Sequence, residues 1–384
     1  MEQFAQLFEG VLAFKWQFLI MYAIGGILIY LAIAKDYEPM LLLPIGFGAI
    51  LVNLPMGTVW EHDGVPGVLQ IFYNMGILTE IFPVLIFVAV GAMIDFSPLL
   101  KMPKMLFFGA AAQFGIFSTT LLALYLNTLF PELGFDLKTA SAIGIIGAAD
   151  GPTAIYVASK FAKEWIGPIS VAAYSYMALV PVIQPPVIRL LTTRNERLIR
   201  MDYHDKKVSK IVLVLFPILI TVISGIVAPI STPLVGLLMF GNLIRESGVL
   251  ERLSKAAQNE LANLVTLLLG ITIGSTMHFE QFLNYKTILI MAMGLLAFVF
   301  DTAGGVLFAK LINLFSKQKV NPMVGAAGIS AFPMSARIVQ KMATAEDPHN
   351  FILMQAVSAN VAGQLGSIIA GGMILALVPW LLTL

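Results

Sequence analysis

The sequence contains no cysteine, and it is poor in charged residues. The absence of cysteine excludes disulfides, thiolate catalysis and cysteine-based metal sites. Charged residues make up 12% of the chain, whereas soluble domains carry roughly 25%. The formal net charge of +1 offers no basic footprint for a nucleic acid, and the 4 histidines are scattered without the spacing of metal ligands. Neither a nucleotide-binding loop nor a Ser–His–Asp set is present, so any reactive group is expected to come from another component.

The chain is rich in apolar residues. Hydrophobic residues make up 58% of it, and the mean hydropathy is +0.88. Uninterrupted or nearly uninterrupted apolar runs predict membrane helices at Trp16–Ala34, Pro39–Leu54, Gly67–Ile94, Met105–Phe130, Ile166–Leu191, Ile211–Ile230, Pro233–Leu243, Leu261–Met277, Thr287–Phe315 and Phe351–Leu384. A break is expected in the Gly67–Ile94 run near Glu80 and Pro83. These runs predict an all-α, multi-pass integral membrane protein.

The stretch Gly144–Thr153 differs from the other runs because its apolar surroundings contain a carboxylate. It lies within the run Ala142–Ala162, which is long enough to cross a bilayer. Pro152 cannot donate a helical hydrogen bond, and a carboxylate such as Asp150 at membrane depth normally marks an ion or substrate path. We expect two half-helices around an opened backbone that lines a cavity. The alternative is a proline-kinked helix with one buried, paired aspartate.

This interrupted stretch has a counterpart in the second half of the chain. Gly147–Ala162 aligns without gaps to Gly328–Ala343, which places Pro152 opposite Pro333. Other short motifs also recur in the same order at an offset of roughly 180–195 residues: Phe47-Gly48 matches Phe240-Gly241, and Gly91–Leu100 matches Gly274–Leu283. We therefore predict two inverted repeats, each with a broken membrane helix, and the breaks meet near the midplane.

The predicted organisation is one integral membrane domain in two parts. Residues 1–192 form the first repeat and residues 211–384 form the second. Between them, residues 193–210 form a basic loop, which the positive-inside tendency places in the cytoplasm. An odd number of crossings in each repeat would invert one relative to the other, although the sequence alone does not fix that parity.

Asp150 is the only carboxylate in either interrupted stretch, since its counterpart is Ala331. Its oxygens suit a small hard cation such as Na⁺, and a proton is the alternative occupant. In the second stretch, Asn321 and Ser330 could complete a cation shell without adding charge. Arg337 could bind a carboxylate through two hydrogen bonds, or it could be an arginine that reaches the membrane edge.

Polar residues in other predicted spans have two possible roles. Tyr174 and Tyr176 could line a cavity and pass a proton, or they could anchor the helix at the membrane interface. Asn360 and Gln364 lie one turn apart among small residues, a spacing that favours helix packing with interhelical hydrogen bonds. Asp301 is in the middle of a run, and we expect it to pair with another intramembrane group.

Several long motifs resemble the membrane β subunit of the sodium-pumping, biotin-dependent decarboxylases. These enzymes are the oxaloacetate, methylmalonyl-CoA and glutaconyl-CoA decarboxylases. The resemblance is carried by Gly144–Ala162, Ala172–Pro181 and Gln184–Pro186, and it extends to Glu38–Phe47, Gly91–Phe96, Ala112–Phe117, Phe240–Leu250, Asn321–Arg337 and Asn360–Gly372. The short Val59–Gly67 loop and the Val357–Gln364 motif are closer to the acyl-CoA branch of the family.

The resemblance implies a function that composition and spacing do not give. A soluble carboxyltransferase α subunit moves a carboxyl group onto biotin on a carrier protein, and the β subunit decarboxylates that carboxybiotin. The decarboxylation is coupled to Na⁺ export and consumes a proton. The implied partners are these two components, a small single-span membrane subunit and further copies of the β chain in a homotrimer. The implied location is the bacterial inner membrane.

The resemblance also implies roles for individual residues. The functional residues of the family fall on Asp150, Tyr176, Asn321, Gly325, Ser330 and Arg337. The expected catalytic residues are Asp150, Tyr176, Ser330 and Arg337; the expected carboxybiotin contacts are Asn321, Gly325 and Arg337; and the expected Na⁺ ligands are Asp150, Tyr176, Asn321 and Ser330. A competing interpretation is a secondary Na⁺ transporter without decarboxylase activity. A purely structural membrane anchor is a third class, but an anchor would not need intramembrane acids.

Overall fold

The computed structural model describes residues 9–62, 64–203 and 207–383, and these residues are helical almost throughout. Within them, the strands are a short antiparallel pair, Glu61–His62 and Val65–Pro66. Six of the described helices are long and apolar enough to cross a membrane, or up to eight segments qualify if each of two bent pairs is one span. The prediction of an all-α, multi-pass membrane protein is confirmed.

The principal helices are numbered in chain order. They are α1 (Trp16–Lys35), α2 (Pro39–Val52), α3 (Ile81–Met93), α4 (Leu106–Ala112), α5 (Phe114–Leu129), α6 (Leu137–Gly144), α7 (Gly151–Phe161), α8 (Ile166–Ala178), α9 (Val180–Leu191), α10 (Lys210–Val227), α11 (Thr232–Ser247), α12 (Ala262–Ser275), α13 (Tyr285–Phe315), α14 (Pro322–Ala326), α15 (Met334–Glu346) and α16 (Leu353–Leu381). Shorter α-helices are Glu9–Leu12, Val68–Phe72, Ser97–Lys101, Arg194–Arg197, Glu251–Ala256 and Phe279–Phe282. Turns of 3₁₀ helix are Pro103–Met105, Pro131–Leu133, Ile145–Ala148, Lys163–Trp165 and Pro229–Ser231, and turns of π-helix are Tyr73–Ile77 and Ala257–Leu261.

Two of the predicted spans are sharply bent. The predicted break near Glu80 is confirmed, because Val68–Ile77 and α3 meet at 61° and Glu80 between them has a left-handed φ of 67°. The predicted single span Ile166–Leu191 is instead two helices, since the segment ending with α8 meets α9 at 70°. The break falls where Pro181 enters the first turn of α9, a position at which its missing N–H costs no helical hydrogen bond.

The two interrupted stretches lie at the centre of the molecule. Residues 139–159 and 321–331 are buried without exception. By contrast, α10 is an outer helix, and only 6% of its most apolar window is buried inside the chain. An apolar helix exposed in this way is suited to contact with lipid or with another membrane chain. The chain therefore encloses its least helical apolar segments within a shell of regular helices.

The basic loop is held against the end of the second interrupted stretch. Its residues 204–206 lie outside the described part of the chain. Arg197 pairs with Glu346 at 2.7 Å, and Arg200 pairs with Asp347 at 2.7 Å. These contacts position the loop across the end of α15, so it forms part of the same face of the molecule as residues 346–350.

Candidate functional site

The first interruption consists of two residues between helical segments. Helix α6 continues as the 3₁₀ turn Ile145–Ala148, Ala149 takes a left-handed φ of 52°, and Asp150 is extended. Helix α7 then begins with Gly151 and Pro152. The Asp150 carboxylate caps α7, because its Oδ1 accepts the backbone N–H of Thr153 at 3.4 Å. A carboxylate is thereby fixed at the opened backbone.

The second interruption is longer and touches the first. Helix α14 ends at Ala326, residues 327–333 are not helical, and α15 begins at Met334. In this irregular segment, the backbone N–H of Ser330 donates to the carbonyl oxygen of Ala148 at 3.2 Å. The Ser330 hydroxyl donates to the Gly363 carbonyl at 3.0 Å. The two stretches that correspond in sequence are therefore in direct contact in space.

Asp150 is surrounded by hydroxyl and amide groups. Its side chain is 4% exposed, and its Oδ2 accepts hydrogen bonds from the Thr153 hydroxyl at 2.7 Å, the Ser367 hydroxyl at 2.9 Å and the Gln364 amide at 3.2 Å. No lysine or arginine of the described ranges forms an ion pair with it. A buried carboxylate whose neighbours are polar but uncharged is costly unless a positive charge balances it, and a small cation or a proton can supply that charge.

A cavity of about 410 Å³ opens beside this carboxylate. Its polar lining consists of Glu38, Asp150, Tyr174, Thr266, Ser330 and Gln364. The rest of the wall is mainly apolar and includes Leu41, Ile86, Phe87, Val90, Met93, Met177, Phe332, Pro333 and Met334. A largely apolar chamber with a few convergent polar groups is the usual character of a small-molecule site.

The two tyrosines of α8 have different environments. Tyr176 donates its hydroxyl to the Met291 carbonyl at 2.6 Å and is absent from the cavity lining. Tyr174 lines the cavity, and its ring packs against Gly151, the residue that follows Asp150. The Tyr174 side chain is 2% exposed, and its hydroxyl forms no hydrogen bond within the described structure. Tyr174, rather than Tyr176, is thus the phenol at the first interruption.

Besides Tyr176, three residues expected at the site lie outside the cavity wall. The Asn321 amide donates to the carbonyl oxygens of Arg197 and Ile199, both at 2.8 Å, and its Oδ1 caps α14. Gly325 packs against the backbone of Gly305, where a side chain would not fit. Arg337 is exposed on the first turn of α15. In this conformation Ser330 lines the same cavity as Asp150, and these three residues lie elsewhere.

Other residues at Asp150 were not singled out as ligands from the sequence. Thr153 could have been identified, because a hydroxyl three residues after an N-cap aspartate is in reach of its carboxylate. Gln364 was expected to serve helix packing, yet its amide donates to Asp150, whereas the Asn360 amide donates to the Ile329 carbonyl at 2.6 Å. Ser367 carries no local signal, because it lies 217 residues from Asp150 in the chain.

Asp301 is fully buried near the same region but has no charged partner among the described residues. Its Oδ1 accepts the backbone N–H of Ile116 in the first turn of α5 at 3.2 Å, and its Oδ2 has no hydrogen-bond partner. A methyl group on Gly147 would lie 2.8 Å from that Oδ2. The intramembrane group that pairs with Asp301 in this structure is thus a backbone N–H of α5.

The known proteins that are similar to this chain align with nearly its whole length. The profile of the family described as the Na⁺-transporting oxaloacetate decarboxylase beta subunit matches residues 17–378. The glutaconyl-CoA decarboxylase subunit beta of Acidaminococcus fermentans is 51% identical over 370 residues, which are 96% of each chain. The methylmalonyl-CoA decarboxylase subunit beta of Veillonella parvula is 48% identical and covers 96% of this chain and 95% of its own. The oxaloacetate decarboxylase beta chain 2 of Salmonella typhimurium is 46% identical over 93% of this chain and 94% of its own.

Proposed function

The chain belongs to the family of Na⁺-transporting decarboxylase β subunits, and we propose that Asp150 binds the Na⁺ that it transports. The function of the chain is decarboxylation coupled to Na⁺ transport across the membrane. A secondary Na⁺ transporter with no decarboxylase activity is not favoured, because the relatives are named as decarboxylase subunits over nearly their full length.

The donor set around Asp150 supports the Na⁺ assignment. Na⁺ is a hard cation that prefers oxygen ligands, as Ca²⁺ and Mg²⁺ do. The Asp150 carboxylate supplies one negative charge, and the Thr153 and Ser367 hydroxyls lie within 2.9 Å of its Oδ2. When a cation binds, these hydroxyls can turn their lone pairs toward it, and Ser330 faces the same cavity from the second interruption. One charge with several neutral oxygens would hold a monovalent ion without trapping it.

The same cavity is proposed to receive carboxybiotin from a biotin carrier subunit. Its volume of about 410 Å³ and its largely apolar wall suit a bicyclic ring, and its polar groups converge at Asp150 and Ser330. Bound carboxybiotin would supply the carboxyl group that leaves as CO₂ and would then require a proton. Na⁺ at Asp150 would attract this anionic substrate, so that substrate and cation favour each other's binding. Arg337 and Asn321 are proposed to contribute in another conformation, since neither lines the cavity here.

A proton donor is needed at the same place. Tyr176 was expected in this role, but its hydroxyl is engaged by the Met291 carbonyl. Tyr174 has an unpartnered hydroxyl, lines the cavity and packs against Gly151. We propose Tyr174 as the phenol that acts beside Asp150, and Tyr176 as a residue that ties α8 to α13.

Inverted repeats are proposed for the whole membrane domain, and reciprocal contacts support them. Gly48 of α2 packs against the backbone of α12, and Gly241 of α11 packs in the same way against α3. Asn53 donates to the Met277 carbonyl at 2.8 Å, while Asn242 donates to the Ile94 carbonyl at 2.9 Å. In the sequence alignment α2 matches α11, and α3 matches α12. The α2–α12 contact and the α11–α3 contact are therefore counterparts of each other with the two halves exchanged.

Both interruptions are proposed to be re-entrant, each from its own side of the membrane. The Phe135 ring before α6 lies 6.4 Å from the Trp165 ring that follows α7, so the first stretch returns toward its starting face. Asn321 before α14 and Asn350 after α15 donate to the same carbonyl oxygens, those of Arg197 and Ile199. Because the tips meet at Ser330 and Ala148, the two hairpins would approach each other near the midplane.

The remaining partners are proposed from membership of a multisubunit decarboxylase. They are a carboxyltransferase α subunit, a biotin carrier protein, a small single-span membrane subunit and a homotrimer of this chain. The face bearing the basic loop 193–210 is proposed to be cytoplasmic, where a soluble carrier would deliver its substrate. The carboxyltransferase is proposed to select the acid that is decarboxylated. The alignments with the two acyl-CoA relatives extend over 370 and 369 residues, whereas the alignment with the oxaloacetate relative extends over 408. This difference in length favours the acyl-CoA branch.

The test is Asp150→Asn in the complete complex reconstituted into vesicles. Loss of the charge should abolish both Na⁺ uptake and CO₂ release, because the amide cannot balance a cation. Asp136→Asn is a matched control, since Asp136 caps α6 through the Thr139 N–H at 2.8 Å but is outside the cavity. That variant should pump like the parent. Wild-type pumping by Asp150→Asn would refute the proposal.

A further inference from the structure

An ion pair joins the first interruption to the bent span, beyond the Asp150 cavity. Lys160, in the last turn of α7, pairs with Glu80 at 2.7 Å, and the Ser159 hydroxyl donates to the same Glu80 oxygen at 3.1 Å. Glu80 forms the bend before α3, and its side chain is 14% exposed. The Lys160 Nζ also lies 5.7 Å from the centre of the buried Tyr156 ring. These contacts fasten the end of α7 to the bend.

The ion pair lies near the face opposite to the basic loop. Helix α13 is long enough to cross the membrane, and Lys310 near its end pairs with Glu196 in the basic loop. The start of α13 is therefore on the other face, where a surface pocket is lined by residues that precede α13 and residues that follow α7. They include Glu280 and Gln281 before α13, and Lys163 and Trp165 after α7. Since the basic loop is proposed to be cytoplasmic, the end of α7 faces the exterior.

A short partition separates this ion pair from the cavity. Pro152 of α7 and Ile86 of α3 line the cavity, and both helices continue from there to the ion pair. Eight residues separate Pro152 from Lys160 and six separate Glu80 from Ile86, which corresponds to about 9–12 Å of helix. Tyr156, between them on α7, is buried. About two helical turns thus close the cavity toward the exterior.

The matching helices of the second half stand apart where those of the first half are joined. In the sequence alignment α3 matches α12, and α7 matches α15. Thr266 of α12 and Met334 of α15 both line the cavity, so the space between these two helices is open. Lys341, the counterpart of Lys160, is exposed. The molecule is therefore open between one pair of matching helices and closed between the other, an arrangement that suits two repeats that open in turn.

We propose that the Glu80–Lys160 ion pair is the outer gate of the Na⁺ route, and that it separates to let Na⁺ leave Asp150 for the exterior. This inference rests on the proposed function. While the pair is intact, α7 is held against the bend, and Asp150 exchanges ions only with the cavity. When the pair separates, the end of α7 can move away from α3 and open a space that is the counterpart of the cavity. The closed gate keeps exported Na⁺ from returning and so couples export to decarboxylation.

The exposure of the pair suits a contact that opens and closes in each cycle. The Lys160 side chain is 45% exposed, so water can solvate its ammonium group as soon as it leaves Glu80. Glu80 is more buried, but it keeps the Ser159 hydroxyl as a donor when Lys160 departs. The two charges therefore hold the gate shut without making its opening prohibitively costly.

The test uses a cysteine reporter, because the chain has no cysteine of its own. Ile86→Cys places a thiol in the cavity wall, on the inner side of the partition. A membrane-impermeant maleimide is added to the outer face of vesicles that contain the complete complex, and its attachment to this chain is measured by mass. Adding Glu80→Gln should raise the labelling rate about five- to tenfold, since loss of the charge shifts the equilibrium toward the open gate. The amount of Na⁺ exported per CO₂ released should fall in the same variant.

Two further variants serve as controls. Glu80→Lys combined with Lys160→Glu restores an ion pair, and it should return the labelling rate to that of the reporter alone. Glu280→Gln removes a different ion pair on the same face, the pair with Lys15, and should leave the labelling rate unchanged. Labelling from the inner face should be equal in all variants, because the cavity itself is unaltered.

Two outcomes would overturn the gate. One is that Glu80→Gln is labelled from the outer face no faster than Glu280→Gln. The other is that the exchanged pair is labelled as fast as Glu80→Gln, because the charges would then not matter. Asp150→Asn, assayed for transport in parallel, tests the Na⁺ site separately: normal pumping by that variant would refute the site, whereas the labelling rates need no Na⁺ and decide the gate by themselves.

Discussion

Ser367→Ala tests the proposed Na⁺ site at Asp150 without removing its charge. The Ser367 hydroxyl lies 2.9 Å from Asp150 Oδ2 and is buried completely. Alanine deletes this hydroxyl and leaves a space too small to disturb α16. Without the hydroxyl, the ionised carboxylate loses a donor in the empty site and a neutral oxygen ligand in the occupied site. The first loss favours the protonated form of Asp150 over the empty ionised form, and the second loss weakens the Na⁺-bound form itself.

The size of the effect follows from the charge on the acceptor. A hydrogen bond to a charged group contributes about 1.5–3 kcal/mol, and about 1.4 kcal/mol corresponds to a tenfold change in an equilibrium constant. Thr153 and Gln364 remain as donors to the same oxygen and compensate for part of the loss. We therefore expect the lower end of this range, a rise of about tenfold in the Na⁺ concentration for half-maximal pumping.

The assay is Na⁺-dependent CO₂ release by the reconstituted complex, with Ser358→Ala as the matched control. Ser358 is also a buried hydroxyl of α16, but it donates to the Pro98 carbonyl at 3.1 Å. It should leave the Na⁺ dependence unchanged even if it costs stability. The reasoning fails if Ser367→Ala and Ser358→Ala have the same Na⁺ dependence, or if Ser367→Ala alters only the maximal rate.

Two further predictions concern the tyrosines and the basic loop. Tyr174→Phe should lower turnover at saturating substrate by about a hundredfold, which is the usual scale for loss of an acid catalyst. Tyr176→Phe should retain most activity. The opposite order would reject Tyr174 as the proton donor. The His349 N–H and the Arg200 guanidinium hold the pKa of Asp347 below its usual range. A depressed folded-state pKa stabilises the protein above the unfolded pKa, and this stabilisation is lost as pH falls through the folded value. Asp347→Asn should therefore lower the melting temperature at about pH 7, and this loss should shrink progressively as the pH falls below the ordinary carboxyl range; a loss that does not change with pH would contradict the assignment.

The sequence predicts the apolar helices and Asp150 well, because both depend on local patterns. Asp150 lies among residues that interrupt a helix. It is expected to face a cavity because burying an unpaired carboxylate is costly. The bend between α8 and α9 was not predicted, although the prolines were visible, because proline is also tolerated in a continuous kinked helix. Which of these outcomes occurs is decided by the helices packed around the bend.

The remaining site residues depend on packing between distant segments. Tyr174 and Tyr176 are two positions apart on a helix, so their side chains point roughly 200° apart, and only one can face Asp150. No periodicity in α8 selects between them, because nearly all of α8 is buried. Likewise, Gln364 and Ser367 lie 214 and 217 residues from Asp150, so their contacts with it exist only once α16 is docked.

Helix α16 is the element that joins the two interruptions. Its Gln364 and Ser367 side chains donate to Asp150, and one turn earlier its Asn360 amide donates to the Ile329 carbonyl. Between them, the Gly363 carbonyl accepts the Ser330 hydroxyl at 3.0 Å. A change of charge at Asp150 alters hydrogen bonds on α16, and the same helix holds the second interruption. If Na⁺ binds at Asp150 as proposed, its binding or release can be transmitted to the second interruption, which has no acid, through α16 and the Ser330–Ala148 contact.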